Sequence, residues 1–442
     1  MYNKIIKPPQ RSAFIDLVNA AIRAGFETGL ISKAPLEKNY LLEKAASDVS
    51  LDDFGDDWFE APMEVLLGSL NHEANLNEAG QWAAQKQFSH VLHGRLMAQR
   101  WFGDRPEILA RPISRPIVIV GPMRSGTTRL HRLLAVDRRF NHLRSFETIS
   151  PVPRPDFIEV IEGIKSDRRP AIARRIMAIA RLANPRTLSI HPTGPFEPEE
   201  ELGLLVASMW GMKHETQWSI PTYARWCEAQ DATPAYLHMA NLLRLVGWSQ
   251  QAPIDRPWLL KTPQHMLDLP ALLRVFPDAR LIFTHRDPVK LVGSAASLAW
   301  NQTIIYSNKT NPRKLGREWL RKTALKVQRM QEARRSIPDS NMIDVNYDDM
   351  DRDWFGTMKR VYEFLSLDIG PAVPAMKQYL SRSKRLKRRP HKYSLAEFGI
   401  GDGEVRERFS NYSRTFDIAS EVSVAPQSRR MHHKFGQPLK QC

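Results

Sequence analysis

Apolar residues in the first hundred positions recur every three or four residues over 34–47, 62–70 and 79–100, a spacing that predicts three helices. The pattern changes at Ile117-Val118-Ile119-Val120, four consecutive β-branched residues just after the prolines of Arg111-Pro112-Ile113-Ser114-Arg115-Pro116. An unbroken apolar run of that length fits a strand buried on both faces of a parallel sheet. Helical spacing resumes from Thr128 to Val136, and residues 154 to 185 read as one basic helical stretch carrying Arg168, Arg169, Arg174, Arg175 and Arg181. A Pro- and Glu-rich loop over 191–201 leads into a helix at Leu202 to Trp210. Further strands are expected at Trp258–Lys261, Ala279–Thr284 and Met342–Val345, with helices at Val289–Leu298 and Thr357–Leu365. Strands alternating with helices imply right-handed βαβ units. The chain therefore reads as α/β: an N-terminal helical segment over 1–110 packed on the core, an α/β domain over 111–416, and a tail over 417–442.

Composition narrows the class. A 442-residue chain with 42% hydrophobic and 25% charged residues has the make-up of an ordinary globular protein. No apolar run approaches the roughly 18 residues of a membrane span, and Met1 to Asp16 lacks the apolar stretch of a secretory leader. Two cysteines, Cys227 and Cys442, cannot build a disulfide framework, and they fit a reducing cytoplasm. A formal net charge of +16 favours an anionic partner: nucleic acid, an acidic membrane surface, or a multiply charged small molecule.

Chemistry first shows where the strand at 117–120 meets Gly121-Pro122-Met123-Arg124-Ser125-Gly126-Thr127-Thr128. Backbone N–H groups of such a loop, followed by a helix N-terminus, bind phosphate through many donors. The G-x-x-x-x-G spacing is that of an ATP-binding loop, yet Thr127 stands where that loop carries lysine. The missing lysine disfavours a nucleotide kinase. Strand, loop and helix together make a P-loop-like three-layer sandwich with a central parallel sheet the expected fold.

Pro122-Met123-Arg124-Ser125-Gly126-Thr127-Thr128 resembles the 5′-phosphosulfate loop of sulfotransferases, particularly the bacterial group related to tyrosylprotein sulfotransferases. The resemblance implies 3′-phosphoadenosine 5′-phosphosulfate (PAPS) as donor and no metal. It extends to Arg286 at a strand end and Ser294 eight residues on, about two helical turns, the pattern with which such enzymes hold the donor's 3′-phosphate. Asn346-Tyr347-Asp348-Asp349 and the stretch from His391 to Gly399 resemble the same group. Arg124, Ser125, Gly126, Thr127, Thr128, Arg286, Ser294 and Lys392 are thus the expected donor-binding residues.

Sulfuryl transfer needs a base for the acceptor proton and a cation for the leaving phosphate. Lys261, in Leu260-Lys261-Thr262-Pro263, resembles the strand-end Lys-Thr of the family, and Arg124 shares its charge load. The histidine that cytosolic sulfotransferases place two residues later is Pro263 here. Glu147 matches the glutamate that tyrosylprotein sulfotransferases use as base, with His191 and His265 as competitors or acceptor-binding residues. A carboxylate base requires a raised pKa, which partial burial beside Phe146 could supply. Seven cations within 382–392 read as a solvated surface or a polyanion patch, and the family resemblance implies a cover over the donor's 3′-phosphate through Arg389 or Lys392. The expected activity is sulfuryl transfer to a small-molecule or glycan hydroxyl. A P-loop kinase and a non-enzymatic polyanion binder are the rival classes. The latter lacks a recognition helix or Cys/His finger, so no nucleic acid is expected.

Overall fold

The computed structural model describes residues 10–154, 158–161, 164–186, 193–385 and 393–421. Four helices come first: α1 (Ala13–Glu27), α2 (Lys38–Val49), α3 (Glu60–His72) and α4 (Glu78–Asp104). Strand β1 (Ile117–Val120) then leads into α5 (Thr127–Ala135), followed by the two-residue β2 (Asn141–His142) and α6 (Ser145–Ile149). A hairpin of β3 (Ile158–Ile161) and β4 (Ile164–Asp167) precedes α7 (Arg169–Ala183). The remaining strands are β5 (Trp258–Lys261), β6 (Arg280–His285) and β7 (Met342–Asn346).

The central sheet is five-stranded, in the order β2-β5-β1-β6-β7, and every pairing in it is parallel. Alternate residues of its strands enter two different cores, as the period-2 pleat requires. Ile117, Ile119, Leu259, Ile282 and Val345 pack with Leu130, Leu133 and Leu134 of α5 and with the helices Trp354–Phe364 and Val373–Arg385. Val118, Val120, Leu260, Leu281 and Phe283 enter the larger core. There they meet the helices Thr233–Ser249, His265–Val275, Pro288–Tyr306 and Pro312–Arg334, together with the apolar faces of α2, α3 and α4. Helices therefore cover both faces of an all-parallel sheet, the three-layer α/β architecture expected. Among the described residues no helix is long and apolar enough to cross a membrane.

The stretch 154–185 departs from the expected single helix. Ile158-Glu159-Val160-Ile161 is β-branched at three of four positions, and it pairs antiparallel with Ile164–Asp167 before α7 begins. Strand β2 has two residues, too few to carry a periodicity in the sequence.

Candidate active site

Because the strands are parallel, their C-terminal ends share one edge, where such folds bind ligands. Four chain segments leave the sheet there: the glycine loop after β1, Lys261 at the end of β5, Arg286 after β6, and Tyr347 after β7.

The glycine loop is shaped by backbone geometry. Arg124 and Gly126 both have left-handed φ values, +74° and +87°. A Cβ on Gly121 would lie 2.0 Å from Thr284 Oγ1, which explains glycine at this strand–loop junction. Ser125 is buried, with its hydroxyl 2.6 Å from Thr284 Oγ1 and donating to the Pro122 carbonyl at 2.8 Å. The Ser125 side chain thus braces the loop against β6, leaving backbone N–H groups and Arg124 as its outward chemistry.

Lys261 is buried to 1% exposure, and its Nζ lies 3.4 Å from Thr128 Oγ1 in the first turn of α5. Its partner is Glu200, whose carboxylate accepts from that amine. The backbone N–H of Lys261 donates to Glu201 Oε2 at 2.9 Å, and Glu201 Oε1 pairs with His265 Nε2. His265 Nδ1 completes the chain 2.8 Å from the Tyr236 hydroxyl. Glu201 and His265 are fully buried. His265 therefore stands behind the site, fixing β5 and the loop bearing Glu200, and does not reach an acceptor from its surface.

The loop 193–201 is stitched onto α6 by backbone hydrogen bonds. Ser145 N donates to Glu197 O at 2.9 Å, Phe146 N to Pro195 O at 3.0 Å, and Glu199 N to Leu143 O at 3.0 Å. This brings Glu147 and Glu200 to the same side of the sheet. Glu147 itself is 1% exposed, and its carboxylate is occupied. Oε2 accepts from Arg144 N at 2.8 Å and from Gln250 Nε2 at 2.8 Å, while Oε1 pairs with the Arg144 guanidinium. The burial expected of Glu147 is present, and it comes with an arginine held against the carboxylate. His131, on α5 near Lys261, is held well below the usual histidine range, first by burial and then by that lysine's charge.

At the far end of the edge, the Arg286 guanidinium forms a two-point pair with a carboxylate: Nε to Glu421 Oε1 at 2.6 Å and Nη2 to Oε2 at 3.0 Å. Nη1 donates to the Arg124 carbonyl at 2.8 Å, and the guanidinium lies 3.7 Å from the centre of the Tyr347 ring. Burial lowers the Arg286 pKa, but Glu421, with Tyr347 and Tyr393, more than offsets it and holds it above the ordinary arginine value. Asp287 caps the helix Pro288–Tyr306 by accepting from Val289 N at 2.9 Å. Ser294 is buried in that helix, beneath the Tyr393 ring that covers the neighbouring Gly293.

The expected residues thus fall into two groups on one edge: Arg124, Thr127, Thr128 and Lys261 around the loop, and Arg286 with Ser294 beyond it. Arg286 and Arg124 join them. His191 and Lys392 lie outside the described residues, as does Arg389. The sequence assigns no site role to Glu200, Glu201, Tyr236, Tyr393 or Glu421, although Tyr393 lies in the stretch from His391 to Gly399 that resembles the family. The run Glu199-Glu200-Glu201 between a proline and a helix was the one local signal for the first two. Among the described residues no group of three or more His, Cys, Asp or Glu is arranged to hold a metal ion.

A model of the sulfotransferase family matches residues 116–371. Omega-hydroxy-beta-dihydromenaquinone-9 sulfotransferase Stf3 of Mycobacterium bovis is 26% identical over 336 residues, covering 72% of this chain and 78% of that protein. The protein of the same name from Mycobacterium tuberculosis matches equally. Among solved structures, sulfotransferase STF1 from Mycobacterium tuberculosis H37Rv superposes with a TM-score of 0.72 at 29% identity, over 84% of this chain and 98% of that one. Sulfotransferase STF9 from Mycobacterium avium gives 0.74 at 25% identity, over 86% and 97%.

Proposed function

The chain belongs to the sulfotransferase family, and from that premise we propose that it transfers the sulfuryl group of PAPS to the hydroxyl of a lipophilic small molecule. The observation that carries the reading is the meeting of Lys261, Thr128 and Glu200 at the mouth of the glycine loop. The loop N–H groups and Arg124 suit the 5′-phosphosulfate, and Arg286 with Ser294 suits the 3′-phosphate. Glu421 supports the second assignment, since its two oxygens engage Arg286 as two phosphate oxygens would. The lipophilic acceptor rests on the curated relative, which is named for a hydroxylated dihydromenaquinone.

The acceptor oxygen attacks sulfur, the bond from sulfur to the phosphate oxygen breaks, and its electron pair leaves with adenosine 3′,5′-bisphosphate. Lys261 and Arg124 offset the charge that grows on that oxygen. The acceptor proton goes to a carboxylate, and geometry supports Glu200 over Glu147. Phosphate arriving at Lys261 competes for the amine that Glu200 now holds, freeing a carboxylate beside the reacting sulfur. Glu147 stays gripped by the backbone and side chain of Arg144 and by Gln250.

Glu200→Gln is expected to lower kcat by about 10²–10⁴-fold, the usual worth of a positioned base. Its affinity for adenosine 3′,5′-bisphosphate should stay near that of the parent. A large loss of kcat in Glu147→Gln with little in Glu200→Gln would return the role to Glu147. Thermal shift with adenosine 3′,5′-bisphosphate tests the donor, and stabilisation by ATP–Mg²⁺ alone would replace this reading with a kinase.

A further inference from the structure

Helix α7 presents an apolar stripe to solvent. Ile176, Ile179 and Leu182, three residues apart, are 45%, 60% and 58% exposed. Side chains at that spacing lie along one flank of a helix. Arg174, Arg175 and Arg181 are exposed among and beside them, and no acidic residue occurs from Arg168 to Arg186. The opposite side is anchored. Arg169 is buried, pairs with Asp167, and donates to the carbonyls of Ser150 and Pro151, both at 3.2 Å. Ala173 and Ala183 are buried too, and the Ala183 carbonyl accepts from Ser12 at the start of α1. The fully buried positions of the helix are thus small or polar, Ile172 and Met177 are half-buried, and Ile176, Ile179 and Leu182 point outward. That is the reverse of what a helix covering a core does.

We propose that α7 is a membrane-surface helix that lies in the headgroup layer of an anionic phospholipid bilayer. An amphipathic helix with isoleucine and leucine on one side and only arginine as its charged residue is the composition of an in-plane membrane anchor. Long arginine side chains extend from the apolar boundary to phosphate oxygens while their stems stay against the acyl chains. A net charge of +16 adds attraction to an anionic surface at longer range. Charge selects this occupant over a second copy of the chain, because pairing two such faces would bring like charges together. Position ties the anchor to the site, since Arg169 at the start of α7 lies 5.3 Å from the ring centre of Phe146, the neighbour of Glu147. A helix seated in the bilayer would bring the α6 wall to the headgroup layer, where a lipophilic hydroxyl resides. This last step rests on the proposed acceptor class; the lipid binding itself does not.

Vesicle co-sedimentation of the whole protein tests the idea without donor or acceptor. Vesicles of phosphatidylcholine with one third phosphatidylglycerol should retain the protein at low salt, and pure phosphatidylcholine should retain much less. Ile179→Asp with Leu182→Asp, and separately Arg174→Glu with Arg175→Glu, should each weaken retention about tenfold or more, given the worth of one basic residue at such a surface. All four positions are exposed, so melting temperature and binding of adenosine 3′,5′-bisphosphate should match the parent. Equal retention of parent and variants, or none on anionic vesicles, overturns the proposal. A dimer that Ile179→Asp dissociates, without vesicle binding, would assign the face to a second copy. Failure of the bisphosphate to bind the parent would count against the donor reading alone.

Discussion

Lys326 is 1% exposed on the helix Pro312–Arg334, and its pKa is lowered to about 7. Burial is the main cause, aided by the charge of Lys322, with Glu215 and Glu200 opposing. A folded pKa below the unfolded value means that the unfolded chain binds the extra proton between about 7 and the ordinary 10.5. Stability should therefore rise with pH across that window, and below it the folded state bears the full penalty. Lys326→Met should raise the melting temperature most at pH 6–7, with the gain shrinking toward pH 10; a gain that does not vary with pH would separate it from this titration. Gly121 offers a steric counterpart. Alanine there would drive a methyl into Thr284 Oγ1 and disturb its 2.6 Å contact with Ser125. Gly121→Ala is expected to destabilise by about 1–3 kcal/mol and to weaken bisphosphate binding, as read by denaturant unfolding and calorimetric titration.

At the scale of elements, the turn from β6 into the helix Pro288–Tyr306 serves two ends through adjacent residues. Asp287 caps the helix while Arg286 faces the neighbouring loop. Asp287→Ala should cost about 0.5–2 kcal/mol of stability, and more if the bond from Glu421 N to Asp287 Oδ2 at 2.8 Å goes with it. Urea unfolding of Asp287→Ala beside Glu421→Ala separates the two parts. Glu201 does similar work for β5, holding the Lys261 backbone with one oxygen and His265 with the other. Removing one partner of a buried, paired carboxylate leaves the rest unsatisfied. Glu201→Ala should therefore lower stability as well as activity, unlike Glu200→Gln.

Across the whole molecule, Glu421 near the end of the described chain occupies the guanidinium that a 3′-phosphate would need. A competent state held back by an internal contact shows a weaker apparent affinity. Glu421→Gln is expected to tighten binding of adenosine 3′,5′-bisphosphate by roughly threefold or more, measured by titration calorimetry. Looser binding would make Glu421 part of the site's support instead. In the parent, ligand at 100 times Kd should add about 2.7 kcal/mol of stability.

Local pattern determined the strands, the glycine loop and the helix after it, because a doubly buried strand and a positive-φ turn each impose residue types on consecutive positions. Ile117–Val120, Trp258–Lys261 and Gly121–Thr128 were legible for that reason. Parallel order followed from the alternation of elements. Strand β2 was not legible, being too short for a period to declare itself, and β3 and β4 lie in a basic stretch whose neighbouring residues carry helical spacing. Pairing across long separations was the other blind spot: Glu200 with Lys261, Glu201 with His265 and Tyr236, and Glu421 with Arg286 are joined only when the sheet aligns its strand ends. A sequence states which charges exist, whereas Coulomb and hydrogen-bond energies depend on separation and burial. The residue types of the site were therefore written in the chain. Which carboxylate meets the lysine, and which histidine is walled away, was decided by tertiary structure.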